Sequence, residues 1–335
     1  MPFLSGTAPA RPERPLFAVV LGNTLLSTVP GVSAAGVSPE KTVLTPVLDS
    51  ELITHGTIRS RRIKPNTPTG CPTPAVITRS MMALLGMEPL FVNAGLTARP
   101  VVPCLDVYGE PGGDPREGDA VPRARELYAR GEMVGDLISR WTDFLVMGEC
   151  VPGGTTTALC VLRGLGIPAN VSSSFVNNPV ALKEAICARV QERIRAEGAR
   201  EPLDIIRIGG DPMLAVAAGI VSSFRGGTVL AGGTQMLAVA AVLRDLGKKV
   251  PPVATTVYVR DDPSAGFAST AAMIGARVWY VDPGFGDLGH PGLARYCIGE
   301  VKEGIGAGGA MFLARVMGKS EEEIRGSVLS TASSY

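Results

Sequence analysis

Apolar residues in this chain fall into short dense runs separated by glycine and proline, and the spacing within each run predicts an element. "LFAVVLG" is apolar at nearly every position and reads as a buried strand, with "VPGVSAAGVSP" behind it as a glycine-punctuated loop. "AVITRSMMALLGM" reads as a helix closed by Gly86, and "PLFVNAGL" as the next strand. After Pro122, the residues Leu127, Val134, Leu137, Ile138 and Trp141 recur at helical spacing, and "DFLVM" reads as a short strand. Between 41 and 75, prolines and turn residues leave little periodicity, so a long irregular stretch is expected there.

The second half repeats one theme: a glycine pair or short strand, then a helix of small residues. It occurs in "GGTTTALCVLRGLG", "GGDPMLAVAAGIVSSF", "GGTQMLAVAAVLRDLG" and "GIGAGGAMFLARVMG", with "TVLAG", "ATTVYV" and "ARVWYVD" as intervening strands. Strands alternating with helices predict an α/β fold: a three-layer αβα arrangement around a mostly parallel, Rossmann-like sheet, with a smaller, partly helical subdomain. In such sheets ligands gather at the carboxyl ends of the strands, where these glycine loops would collect. Residues 1–14 are expected to form a loose tail, 15–120 an N-terminal α/β part, 121–320 the core and 321–335 a C-terminal tail. "GEPGGDPREGDAVP" is the expected boundary between the two parts.

Composition narrows the function classes. With 32 basic and 31 acidic residues and 5% aromatics, the chain has neither the basic bias nor the stacking residues of a nucleic-acid binder. The cysteines (Cys71, Cys104, Cys150, Cys160, Cys187, Cys297) form no C-x-x-C pair and are expected as free thiols in a reducing cytoplasm. His55 and His290 are too far apart in sequence to suggest a zinc site, and no metal or cofactor is expected. His290 by itself reads as a structural hydrogen-bonder rather than a catalyst. "PLFAVVLGNTLL" imitates a signal segment, but the Gly22-Asn23-Thr24 interruption favours a strand ending in a polar turn. No apolar run reaches the ~18 residues of a membrane helix.

The candidate chemistry lies in two glycine loops. "GECVPGGTTTA" keeps Gly148, Gly153 and Thr155 in the register of a phosphate loop, but Gly154 stands where the lysine belongs. Glycines and a helix N-terminus suit an oxyanion, and without the lysine one phosphate monoester is a better guest than a triphosphate. The same loop also reads as a tight turn with a threonine cap. "GIGAGG", Gly304 to Gly309, satisfies G-x-G-x-x-G, but the charged "GEVKE" before it is no buried strand, so a dinucleotide site is not indicated. Glu303, with Lys302 beside it, stands on a glycine-flanked turn that opens a helix. It faces either a pocket or solvent.

Taken in order, these motifs resemble a known family, the nicotinate-nucleotide:dimethylbenzimidazole phosphoribosyltransferases. "GECVPGGTTTA" is similar to their G-E-M-G-I-G-N-T-T-A, and "GGDPMLAVAAGI" to their G-G-F-E-I-A-A-M-A-G. "GGTQMLAVAAVL" is similar to the segment after their D-G-F, and "KEGIGAGGAMFLA" to their G-E-G-T-G-A-A-L-A-L-P. The resemblance spans about residues 143–317, and "VPGVSAAGVSPE" resembles the opening text of a divergent archaeal and cyanobacterial branch. The family's G-I-G-N is replaced by Val151-Pro152-Gly153-Gly154, and residues 1–142 have no visible counterpart in the bacterial enzymes.

The resemblance implies phosphoribosyl transfer from nicotinate mononucleotide to an aromatic base such as dimethylbenzimidazole, giving nicotinate and an α-ribotide for cobamide assembly. Glu303 would be the catalytic base. Gly153, Gly154, Thr155 and Thr156 would anchor the phosphate, and Glu149 would bind ribose or steady the cationic sugar. Gly209, Gly210, Gly232, Gly233, Gly304 and Gly306 would line the donor pocket. The resemblance also implies small-molecule substrates, with residues 15–120 on the acceptor side; a cytoplasmic homodimer is expected, while the acceptor base and oligomeric state stay open. A non-catalytic nucleotide-monophosphate-binding regulatory or salvage protein is the alternative, and a Mg²⁺-dependent nucleotide hydrolase or kinase is a third reading that the missing lysine disfavours.

Overall fold

Strand β1 (Pro15–Gly22) is apolar throughout because protein covers both its faces. Ala18 and Val20 enter one core, and Phe17, Val19 and Leu21 the other. The structure, a computed structural model, describes residues 2–36 and 38–335. β1 is central in a parallel seven-stranded sheet of order β3-β2-β1-β4-β5-β6-β7. The other strands are β2 (Leu90–Gly95), β3 (Leu105–Asp106), β4 (Phe144–Cys150), β5 (Gly227–Ala231), β6 (Val253–Thr256) and β7 (Val278–Val281). The chain runs outward from β1 through β2 to β3, then returns to lay β4 on the other side of β1. The strand order therefore reverses between β1 and β4, and the crevice beyond their carboxyl ends is where such sheets hold ligands.

Helices α4 (Ala124–Ile138), α5 (Gly154–Gly164), α6 (Val180–Glu197), α7 (Pro202–Gly209), α8 (Pro212–Ser223), α9 (Thr234–Asp245) and α11 (Phe267–Ile274) cover one face. Helices α2 (Thr45–His55), α3 (Pro74–Leu85), α13 (Ala307–Val316) and α14 (Glu321–Ala332) cover the other. The helices α1 (Pro39–Thr42), α10 (Val257–Arg260) and α12 (Pro291–Ala294) are single turns. This is the layered α/β arrangement the sequence predicts.

The glycines of "GIGAGGA" serve packing. A Cβ on Gly148 would lie 3.1 Å from the Gly306 Cα, and one on Gly309 would overlap Ala231. Helix α13 can therefore settle directly onto β4 and β5, which places residues 303–305 over the carboxyl ends of the central strands.

Several expectations need correction. The stretch 41–75 is not irregular throughout: it contains α2, which buries Asp49, Ser50 and Glu51 and so lacks the apolar stripe that marks a helix in sequence. The segment 1–14 is anchored, with Phe3 buried and Leu4 bridged antiparallel to Val281 on the sheet edge. Residues 321–332 form α14, capped by Ser320 and Glu323. "ATTVYV" is a strand only to Thr256 and then turns into α10. Across the expected boundary, β1 pairs with β4 from Pro15↔Phe144 to Leu21↔Cys150, so the two parts share one sheet. Gly112, within the boundary loop, donates to the Asn23 carbonyl at 2.8 Å.

Candidate functional site

A cavity of about 910 Å³ opens beyond the carboxyl ends of the central strands. Its walls come from segments 32–36, 44–49, 61–69, 149–155, 172–177, 233–235 and 300–305. At this volume it lies toward the upper end of the range for small-molecule sites.

Glu303 sits on a loop of unusual backbone. Val301, Lys302 and Ile305 all have positive φ (63°, 65° and 44°), a left-handed conformation that costs non-glycine residues and persists where the surroundings impose it. The carboxylate is gripped from below: Oε1 accepts from the Gly308 and Gly304 amides at 3.1 and 3.2 Å, and Oε2 from the Thr256 amide at 3.2 Å and the Thr255 hydroxyl at 3.4 Å. Loss of water around it pushes its pKa up to about 7, against the pull of those donors. It borders the cavity and is poised to exchange a proton near neutrality.

Glu149, at the end of β4, also borders the cavity and is buried. Burial, then repulsion from Asp211 and Glu303, pushes its pKa up to about 8, although the Val151 amide donates to it at 3.1 Å. Burial thus favours its acid form near neutrality, which can donate a hydrogen bond. Asp211 caps α8 and accepts from the Thr157 hydroxyl at 2.6 Å; burial raises its pKa to about 6. Asp49, delivered to the cavity wall by α2, is raised to about 7 by burial, against hydrogen bonds from Thr73 and Cys150.

Behind the serine-rich segment 172–174 two lysines are buried. Lys302 Nζ donates to the carbonyls of Ser173 at 2.7 Å and Phe175 at 3.0 Å and lies 3.5 Å from Asp262. Lys183 Nζ donates to the Ser172 carbonyl at 2.6 Å, and burial beside Lys302 lowers its pKa to about 7. These contacts fix one wall of the cavity. Elsewhere on the cavity lining, Thr234 Oγ1, Gln235 Oε1 and Asn66 Oδ1 are buried without a protein partner, as groups that meet a ligand would be.

Of the residues singled out in sequence, Glu149, Gly153, Thr155, Gly233, Glu303 and Gly304 line this cavity. Gly154, Thr156, Gly209, Gly210, Gly232 and Gly306 do not, and packing explains most of them. A Cβ on Gly209 would press on Val190, one on Gly210 on Ile206, and one on Gly154 would strike the Gln235 side chain. The cap of α5 is Gly153, at φ 80°, rather than a threonine. Thr157 turns inward to Asp211, which leaves Thr155 as the threonine of the triplet on the wall. His290 accepts from the Leu293 amide at 3.1 Å as the cap of α12, a structural role. Sequence reasoning missed Asp49, Asp211, Lys183, Thr234 and Gln235. The Asp-Pro opening α8 was the one legible signal among them, as a cap followed by proline at the first helical position.

The fold is shared with proteins of known structure. Two solved structures from Thermus thermophilus superpose on it, a nicotinate-nucleotide-dimethylbenzimidazole phosphoribosyltransferase at TM-score 0.62 and CobT at TM-score 0.65. They share 16% and 14% sequence identity with this chain and cover 94% and 93% of it, and 83% of their own lengths. No family model matches the sequence. Among full-length relatives, a UPF0284 protein of Methanosarcina acetivorans is 42% identical over 331 residues, 95% of this chain and 94% of its own. One from Thermococcus gammatolerans is 43% identical over 315 residues, 92% of this chain and 95% of its own. The chain belongs to the UPF0284 family.

Proposed function

We propose that this protein transfers the phosphoribosyl group of nicotinate mononucleotide to the ring nitrogen of an aromatic base, as a step in making a cobamide lower ligand. The observation that carries this reading is Glu303: a carboxylate with a pKa near 7, held by backbone amides on a strained loop at the wall of a cavity large enough for two substrates. The nucleophilic nitrogen attacks C1′ as the bond to nicotinate breaks, and the electron pair of that bond returns to the pyridinium ring, which becomes a neutral pyridine as nicotinate, still carrying its carboxylate, departs. Glu303 accepts the proton from the base. Glu149, whose acid form burial favours, donates to a ribose hydroxyl. Gly153, Thr155, Gly233, Thr234 and Gln235 surround the donor's polar groups. Holding two flat rings at one ribose supplies much of the acceleration.

The test is release of nicotinate from nicotinate mononucleotide with dimethylbenzimidazole, benzimidazole or adenine, with the nitrogen-free phenol p-cresol as a comparison acceptor. Release that depends on one base, and is lost in Glu303→Gln with the fold intact, is the expected result. No release with any base would overturn the transferase reading. Thermal stabilisation by the mononucleotide alone would then favour a binding protein.

A further inference from the structure

Residues 57–70 cross the cavity mouth without helix or strand, tied down at both ends by carboxylates. At one end, Glu51 accepts from the Arg59 and Ser60 amides at 2.7 and 2.8 Å and from the Ser60 hydroxyl at 2.6 Å. At the other, Glu300 accepts from the Thr67 hydroxyl at 2.7 Å and from that of Thr69, and is paired with Arg295 at 2.5 Å. Between these anchors Arg61, Arg62 and Lys64 are exposed and line the cavity. None of the three forms an ion pair with a carboxylate among the described residues, and Lys41 adds another unpaired cation to the same walls.

Arginines such as Arg163, Arg193 and Arg207 are matched to glutamate or aspartate, and what sets Arg61, Arg62 and Lys64 apart is that they are unmatched and line the cavity. The cations sit at the mouth, whereas the acids sit on the cavity floor. Asn66, on the same strap, has a buried side-chain oxygen without a partner, and turning that amide would present its NH2 to an incoming acceptor.

We infer that the strap formed by Arg61, Arg62 and Lys64 is an anion clamp that takes a phosphate oxyanion of the bound substrate at the cavity mouth. The inference rests on the proposed donor only for which phosphate arrives, because cations that line a cavity can take an oxyanion whatever molecule carries it. Arginine suits the task, since its planar guanidinium can bind a phosphate through two parallel hydrogen bonds. Arg61, Arg62 and Lys64 lie between the anchors, and just beyond them the Pro65 carbonyl accepts from the Thr73 amide at 2.7 Å and Asn66 is bridged antiparallel to Pro72, which holds the strap against the cavity.

Three probes separate this inference from the transferase reading: inorganic pyrophosphate, nicotinate mononucleotide and nicotinate riboside, which lacks the phosphate. Trypsin can cut after Arg61 and Arg62, so protection there reports occupancy without any turnover, and calorimetry gives affinities. In the wild type, pyrophosphate and the mononucleotide should both slow cleavage. In the triple variant R61Q/R62Q/K64Q, mononucleotide affinity should fall about ten- to a hundredfold, the size expected for lost charge-assisted hydrogen bonds, while riboside affinity stays unchanged. Because all three side chains are exposed, circular dichroism and Tm should match the wild type. Equal mononucleotide and pyrophosphate binding by variant and wild type overturns the clamp. So does failure of both anions to bind or protect the wild type. Protection by pyrophosphate with no binding of mononucleotide or riboside sinks the proposed donor and leaves the clamp standing.

Discussion

The floor and the mouth of the cavity are built on opposite principles. On and behind the floor, Glu303, Glu149, Asp211 and Asp49 are acids removed from water, held by backbone amides or hydroxyls, and shifted toward neutrality. At the mouth, Arg61, Arg62 and Lys64 are cations left in water on a strap without regular structure. Burial tunes a proton-transfer group but makes the charged form costly, so it suits chemistry. Exposure keeps a charge permanent and mobile, so it suits capture. On the proposed function, rate would depend on the floor and affinity on the mouth.

The largest expected effect tests that division directly. Glu303→Gln should lower kcat by about 10²–10⁴ with little change in KM for the donor, the range for loss of a general base. Arg62→Gln should instead raise KM and leave kcat close to wild type. Steady-state kinetics that show the reverse split would end the distinction between floor and mouth.

Next comes pH. Activity should rise through about 7 as Glu303 loses its proton and fall above about 8 as Glu149 becomes charged. In Glu149→Gln the upper limb should disappear from the kcat profile, and in Arg62→Gln both limbs should stay where they are.

The same acids set a stability trend. Their folded pKa values (about 6 for Asp211, about 7 for Asp49 and Glu303, about 8 for Glu149) lie above the ordinary 3.8 to 4.5. The folded state therefore holds more protons than the unfolded state across that window. Their contribution is complete below about 4 and is lost as pH rises through the folded values. Lys183 acts in the opposite sense only above about 7, its lowered folded value. Calorimetry should thus record a Tm that falls between pH 5 and pH 7, with a shallower fall in Glu149→Gln. A Tm that climbs over that interval would contradict the buried-acid floor.

The smallest effect is ionic. Donor KM should rise with added salt in the wild type, because exposed charges are screened over a Debye length of about 10 Å at 0.1 M. The slope should flatten in the strap variant and persist in Thr155→Val, which removes a hydroxyl and no charge.

How much of this was legible beforehand depended on whether a residue's task left a local trace. β1 and β4 were visible because burial on both faces demands an unbroken apolar run. The helices of small residues were visible through their glycine openings, and Glu303 through its place between a charged turn and "GIGAGG". Helix α2 was hidden because it buries polar residues, which erases the period that would reveal it. Asp49 was hidden with it. Gly209 and Gly210 were misread because a glycine required for close helix packing and one required for a ligand leave the same letter in the sequence.

By itself, then, the sequence determined the alternation of strands and helices, the parallel layered architecture and the glycine loops at the strand ends. Each of these follows from local periodicity, chain stereochemistry and the absence of a Cβ. Tertiary structure alone decided which acids share the floor, which glycines face the cavity and which cations go unpaired. Those outcomes depend on segments far apart in the chain meeting around one volume, and on how much water that meeting excludes.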